Sequence, residues 1–300
     1  YFAKKDGQPL PFAEAVVGGR AVGTPGVLRM LALAHQRHGR LPWARLFMPA
    51  VHLAEQGFAV GPRLHASLQA DAALRLDPTA RAYFYREDGT PHPVGHVLRN
   101  PALAKVYRRI AQQGVEQFYR GELAQAMVRK VRSHPTNPGL LSEQDLNDYR
   151  ARIRTPLCFL HLVTPNRYWL CGMAPPSSGT VAVGQMLGLL SHTAVAQQRW
   201  ASEGPDARWL HHYSEAARLA FADRALYIAD PDFVSFNANT WRGLLDDTYL
   251  QERARLIGAK PMLQAPAGQV GQISPPPYAA AAAQPEYGTT HLSIIDARGQ

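Results

Sequence analysis

Cysteine is nearly absent from this sequence: Cys158 and Cys171 are the only two in 300 residues. That is too few, at the wrong spacing, for a zinc site. Long apolar runs are also missing. The best candidate, residues 180–190, is shorter than a bilayer crossing requires and contains Gly and Gln. No transmembrane segment is therefore expected in these residues. The sequence has no G-x-G-x-x-G that follows a strand, no P-loop, no G-x-S-x-G and no H-E-x-x-H. Gly18-Gly19-Arg20-Ala21-Val22-Gly23 has glycines, but neither the preceding strand nor the spacing of a dinucleotide turn. The net charge is +9, yet no block of Lys and Arg stands out, so no nucleic-acid partner is expected. A basic surface for anionic envelope polymers is one reading of that charge; the favoured one is a merely basic piece of a longer protein whose remaining part may offset it. An initiator Met and a targeting segment are absent too. The expectation is that Tyr1 and Gln300 are cuts through a longer protein, which leaves the compartment unread at this point.

What is present is ample apolar material. Hydrophobic residues make up 46% and charged residues 18%, enough for one large domain or two ordinary ones with a packed core. The first third reads as helical. Gly23-Thr24-Pro25-Gly26 opens a helix through Val27, Leu28, Leu31 and Ala34 that ends at Gly39. Pro42 suits the first position of the next, with Pro49 expected to bend it and Gly57 to close it. Tyr83-Phe84-Tyr85 reads as a short extended piece before a turn at Glu87-Asp88-Gly89. Residues 101–113 and 115–132 have helical patterns, and Ser142-Glu143-Gln144-Asp145 reads as a capping box.

From 154 to 173 the pattern is strand, with a turn at Thr164-Pro165-Asn166. If the two halves pair, the cysteines could face each other as a disulfide; two buried thiols is the alternative, because register is not fixed by sequence. A helix is expected after Ala174-Pro175-Pro176-Ser177-Ser178-Gly179, with Ser177 and Ser178 as caps. Another should span 206–227, burying Leu210, Tyr213, Ala217, Leu219 and Ala220. His211 and Glu215, one turn apart, read as a surface pair rather than metal ligands, since no third ligand is evident. Asp223-Arg224 reads as a helix-end ion pair and Asp230-Pro231-Asp232 as a turn. Residues 260–288, rich in Pro, Gln, Ala and Gly, read as a mobile loop feeding the strand-like Leu292-Ser293-Ile294-Ile295-Asp296.

The junction between that loop and strand carries the chemistry. A threonine hydroxyl is a poor nucleophile without a base in reach. If Thr289 were the first residue of a chain, its own α-amine, with a pKa of about 7.7–8, could take the proton. The chain must then be cut before it. Gly288 permits unusual backbone geometry at that bond, and β-branching leaves the Thr289 hydroxyl few orientations.

Several segments, in order, resemble the γ-glutamyltransferase family. They are Gly23-Thr24-Pro25-Gly26-Val27, Leu41-Pro42-Trp43 through Gly57-Phe58, Ala174-Pro175-Pro176-Ser177-Ser178-Gly179, Glu215 through Ala222-Asp223-Arg224, Asp230-Pro231-Asp232-Phe233, and Thr289-Thr290-His291-Leu292-Ser293. The sequence departs from the family pattern at Thr180, where a second Gly is usual, at Leu292, where an aromatic is usual, and in a longer 158–171 segment.

The resemblance implies an α+β fold, the four-layer αββα sandwich of N-terminal-nucleophile hydrolases. Residues 1–288 would be most of a large subunit and 289–300 the start of the catalytic small one, the two forming a heterodimer from one precursor. It implies self-cleavage at Gly288–Thr289, Thr289 as nucleophile, and γ-glutamyl transfer from glutathione and similar compounds to water or an amino acid. No metal or organic cofactor is implied, and the location implied is periplasmic or secreted. The substrate-binding and oxyanion groups would lie outside 1–300. A cephalosporin or glutaryl acylase, or a poly-γ-glutamate-processing relative, is the rival on the same scaffold. A non-catalytic, basic envelope-binding protein is the rival from another class.

Overall fold

The computed structural model describes residues 10–163, 166–198, 204–234, 238–270 and 297. The chain divides into two units between Arg152 and Ile153.

The first unit is mostly helical. Its elements are α1 (Phe12–Val16), α2 (Val27–His38), α3 (Trp43–Gln56), β1 (Phe58–Ala59), α4 (Pro62–Ala70), α5 (Pro78–Phe84), β2 (Val97–Leu98), α6 (Pro101–Gln113), α7 (Glu116–Tyr119), α8 (Gly121–Arg132) and α9 (Glu143–Asp148). α3 runs unbroken through Pro49 and lies along α6, where the Trp43 indole donates to the Ile110 carbonyl at 3.3 Å. Pro42 is extended and caps α3 instead of beginning it. The short strands pair antiparallel, Phe58 opposite Leu98. Tyr119, Ala124, Val131, Leu141 and Leu146 form a buried cluster. The buried Tyr119 donates its hydroxyl to the Pro25 carbonyl at 2.7 Å, which ties the Gly23-Thr24-Pro25-Gly26 turn to this core.

Two local expectations change here, and a third holds. Tyr83 and Phe84 are helical, because Asp77 caps α5 by accepting from the Ala80 N–H at 2.9 Å, and Pro78 is pre-shaped for the first turn. The 115–132 stretch is two helices. Arg120 is extended and Gly121 takes φ 70°, a left-handed value that only glycine adopts without a steric cost, so the chain turns there and restarts. The capping box at Ser142 forms, with Asp145 as the reciprocal carboxylate.

The second unit contains β3 (Leu157–Val163), β4 (Asn166–Gly172), α10 (Gly179–Ser191), α11 (Ala207–Tyr227), α12 (Ala238–Gly243) and α13 (Asp247–Ala254). β3 and β4 form an antiparallel hairpin in which Cys158 lies opposite Cys171 and Leu160 opposite Trp169. The cysteines are joined as a disulfide, which closes the alternative of two free thiols. α10 packs on both α11 and α13. Leu189, Leu190, Val195, Ala216, Leu219, Leu250 and Ala254 form the shared core. No helix among the described residues is long and apolar enough to cross a membrane.

Candidate functional site

α11 is the spine of the polar site. Its buried residues are Glu215, Ala216, Leu219, Ala220, Asp223 and Tyr227, a stripe at helical spacing. This corrects the expected face: Leu210 and Tyr213 are exposed, and two carboxylates take places on the inward stripe. A carboxylate there must have its oxygens satisfied, because burying an unpaired charge is prohibitive.

Asp223 meets that demand with four donors from four directions. Gln185 Nε2 of α10 and the Tyr249 hydroxyl of α13 each donate to Oδ2 at 2.7 Å. Arg253 Nη2 and the Gly268 backbone N–H donate to Oδ1 at 3.0 and 2.7 Å. Asp223 is 1% exposed and the Arg253 side chain 8%. The partner of Asp223 is thus Arg253, thirty residues on, and not the adjacent Arg224. Burial, and then the neighbouring negative Asp223, push the Tyr249 phenol pKa strongly upward, so it stays protonated and can only donate to that carboxylate.

The network grips one stretch of backbone. Besides the Gly268 N–H, Arg253 Nη2 donates to the Pro266 carbonyl at 2.7 Å, and the Tyr227 hydroxyl donates to the Gly268 carbonyl at 2.8 Å. Two turns along α11, Glu215 accepts from the Met262 N–H at 2.8 Å and from Arg218 Nη1 at 2.7 Å. Burial raises the Glu215 pKa, but these two donors outweigh it and hold the group below its ordinary value. Gly268 fits because it has no side chain: a Cβ there would lie 2.1 Å from the Tyr249 hydroxyl. The segment read as mobile from residue 260 is therefore pinned at 262, 266 and 268. The network holds no nucleophile beside a base, and every oxygen of its two carboxylates is engaged as an acceptor. Chemically it is a clamp, set on the last described stretch before the segment that contains Gly288 and Thr289.

Gly288 and Thr289 lie outside the described residues. Ser178 precedes α10, but its hydroxyl makes no cap bond; it accepts from Arg224 Nε at 2.9 Å. The cap is not formed because Ser178 is already in the helical region, φ −90° and ψ −15°. Asp230-Pro231-Asp232 is a turn, as read, with Arg154 Nη2 at 2.8 Å from Asp232. His211 Nε2 lies 2.8 Å from the Gly258 carbonyl, and no cluster of metal-binding side chains is found among the described residues. The Asp223 cluster was missed in the sequence. The signal that could have found it is the period: 216, 219, 220, 223 and 227 share one apolar face, and an acid there demands buried partners.

Known proteins match this chain along its length. The family described as Gamma-glutamyltranspeptidase matches residues 1–300. The "Glutathione hydrolase proenzyme" of Pseudomonas aeruginosa is 33% identical over 95% of this chain and 46% of its own length. The "Acylase ACY 1 proenzyme" of Pseudomonas sp. strain V22 is 34% identical over 95% of this chain and 47% of its own. This chain thus spans about half the length of these curated relatives. The solved structure of a gamma-glutamyltranspeptidase from Pseudomonas nitroreducens overlays 89% of this chain and 75% of its own with a TM-score of 0.74 at 31% identity. The fold class is accordingly the α+β sandwich of N-terminal-nucleophile hydrolases, to which the described residues contribute helices and a long hairpin. The chain, matched from residue 1 to residue 300, belongs to the gamma-glutamyltranspeptidase family.

Proposed function

We propose that this chain carries most of the large subunit and the first residues of the catalytic small subunit of a γ-glutamyltransferase that acts on glutathione and related γ-glutamyl compounds. The observation that carries the reading is the family match over residues 1–300, which includes Thr289-Thr290-His291-Leu292-Ser293. In processing, the Thr289 hydroxyl attacks the Gly288 carbonyl. The peptide bond becomes an ester as the Thr289 nitrogen leaves as an amine, and water hydrolyses the ester. The freed α-amine then serves as the base. It takes the hydroxyl proton as the oxygen attacks a γ-glutamyl carbonyl, and returns a proton to the leaving amine. Water or an amino acid resolves the γ-glutamyl ester. The clamp supports this reading: it anchors the large-subunit side of the chain at Gly268, ahead of the bond to be cut. The two subunits remain together as a heterodimer. The disulfide supports a periplasmic or secreted location, where oxidised cysteines persist.

The test is sequencing of the smaller fragment of the complete protein, which should begin Thr-Thr-His-Leu-Ser. Thr289→Ala should abolish both cleavage and turnover of γ-glutamyl-p-nitroanilide, and Thr289→Ser should keep part of each. A Thr289→Ala protein that turns over normally would sink the assignment, and a chain that is never cut favours the envelope-binding alternative. The acylase relative, as similar as the hydrolase one, favours a second reading, acyl removal from a glutaryl or cephalosporin amide. Relative kcat/KM on glutaryl and γ-glutamyl anilides separates the two.

A further inference from the structure

The net charge of this chain is confined to one of its two units. Residues 1–152 hold 21 of the 32 Lys and Arg and 12 of the 23 Asp and Glu, so the whole excess of +9 falls on the first unit and the second is neutral. Such an excess matters where several cations share one place without counter-charges. The surroundings of α5 are such a place. A cavity of about 440 Å³, within the roughly 300–1,000 Å³ range of small-molecule sites, has Arg75, Pro78, Arg81, Tyr85, Arg86 and Glu87 in its wall. All six lie between residues 75 and 87, and that stretch is closed on itself. Tyr85 is 3% exposed and donates its hydroxyl to the Leu68 carbonyl at 2.9 Å. The Arg86 N–H donates to the Thr90 carbonyl at 2.8 Å, and the Gly89 N–H to the Arg86 carbonyl at 2.9 Å, which fixes the turn after it.

The three guanidiniums are poorly matched. Arg75 lies over the Tyr85 ring, 5.4 Å from its centroid, which orients it. Its bond to the Gln69 carbonyl is long, at 3.4 Å, and its Nε is buried with no partner among the described residues. Arg81 reaches the Glu87 backbone carbonyl at 3.4 Å. None of the three makes an ion pair with a carboxylate among the described residues, whereas Arg29, Arg108 and Arg109 of the same unit pair with Glu116, Glu55 and Glu122. The acids close by are engaged by other donors. Asp71 accepts from the Leu74 N–H at 2.8 Å, Asp77 from the Ala80 N–H at 2.9 Å and from Lys130, and Asp88 from the Thr90 N–H and hydroxyl at 2.8 and 2.6 Å. Glu87 is the single acid in the wall, so the cavity keeps an excess of positive charge.

We propose that this cavity binds a small organic anion that carries two or more negative charges on carboxylate or phosphate groups. A guanidinium fork matches either group with two parallel hydrogen bonds, and several forks on one cavity select a ligand with more than one charge. Pro78 and Tyr85 give the wall an apolar side for a carbon skeleton. Glu87 opposes any anion there and limits the affinity. The inference rests on the first unit alone and stands whichever amide the enzyme cleaves.

The experiment titrates the complete protein by calorimetry with citrate and with glycerol 2-phosphate at one fixed ionic strength, with acetate as the monoanion control. At least one probe should saturate a single site, with acetate about tenfold weaker, the worth of two further exposed ion pairs. Arg81→Gln and Arg86→Gln should each weaken the tighter probe about threefold, the size of one such pair, and Glu87→Gln should tighten it by about as much. Arg37→Gln, an exposed change on α2, should bind as the parent does. Hydrogen exchange locates the site, with protection rising at the Arg86 and Gly89 amides when the probe is bound. Tighter binding of citrate identifies the ligand's groups as carboxylates, and tighter binding of glycerol 2-phosphate identifies them as phosphates. Three results would overturn the proposal: no saturable binding of either probe, acetate binding as tightly as they do, or Arg81→Gln and Arg86→Gln proteins that bind no more weakly than Arg37→Gln.

Discussion

Replacing Asp223 with Ala tests the clamp most directly. The change leaves the Arg253 guanidinium, 8% exposed, without its counter-charge, and strips the acceptor from Gln185, Tyr249 and the Gly268 N–H. Breaking one side of a buried ion pair costs about 3–5 kcal/mol. The three other lost bonds do not add in full, because Ala frees space that water can enter; taken together we expect about 4–5 kcal/mol. For a unit of about 150 residues each kcal/mol lowers Tm by about 2–4 °C, so the transition of the second unit should fall by about 8–20 °C. Asp223→Asn keeps one acceptor oxygen but turns an NH2 donor toward the two donors that met the other, and it too leaves Arg253 without a counter-charge, so it should cost about as much. Thermal and urea unfolding measure both, and hydrogen exchange at the Gly268 amide provides the local readout. That amide should lose protection in both variants before the α10–α11 core does. The double change Asp223→Leu with Arg253→Met should be milder than the sum of its parts by more than about 2 kcal/mol, since an apolar pair of similar volume has no charge left to strand. An Asp223→Ala protein destabilised by less than about 1 kcal/mol, with Gly268 still protected, would refute the argument that this carboxylate holds the segment.

Gly268→Ala should lose about 1–3 kcal/mol in urea unfolding, because its new methyl would sit 2.1 Å from the Tyr249 hydroxyl; an unchanged midpoint would show that the segment is not seated there. Glu215 has a folded pKa below its ordinary 4.5, so its contribution is complete above that value and is lost as the pH falls through the folded pKa. The stability gap between the parent and Glu215→Gln should therefore narrow on acidification, and a gap that widens below pH 4.5 would contradict the sign. Removing the disulfide with Cys158→Ser and Cys171→Ser frees a loop closed over a separation of 13 residues, with an expected cost of about 3 kcal/mol in urea unfolding. A loss under about 0.5 kcal/mol would mean that the hairpin is held by its neighbours alone.

Local order was legible without tertiary structure. The helices at 27–38, 101–113 and 207–227 follow from the apolar period and from stop and start residues next to them, and the capping box at Ser142 follows from four consecutive side chains. These features depend on contacts within a turn or two, so the order of residues is sufficient to dictate them. The family could be read the same way, because its turns recur in sequence order, and with it Thr289 as the candidate nucleophile. Tertiary structure alone decided the rest. Whether Cys158 faces Cys171 depends on hairpin register, since a slip of one residue turns every side chain over. Which face of α11 is buried depended on partners distant in the chain: Gln185 lies 38 residues before Asp223, Arg253 30 after it and Gly268 45 after it. An acid on a helix looks like a solvated surface group until those donors converge on it. Their convergence turns Asp223 into a buried clamp and the start of an apparently loose loop into a fixed strand of backbone.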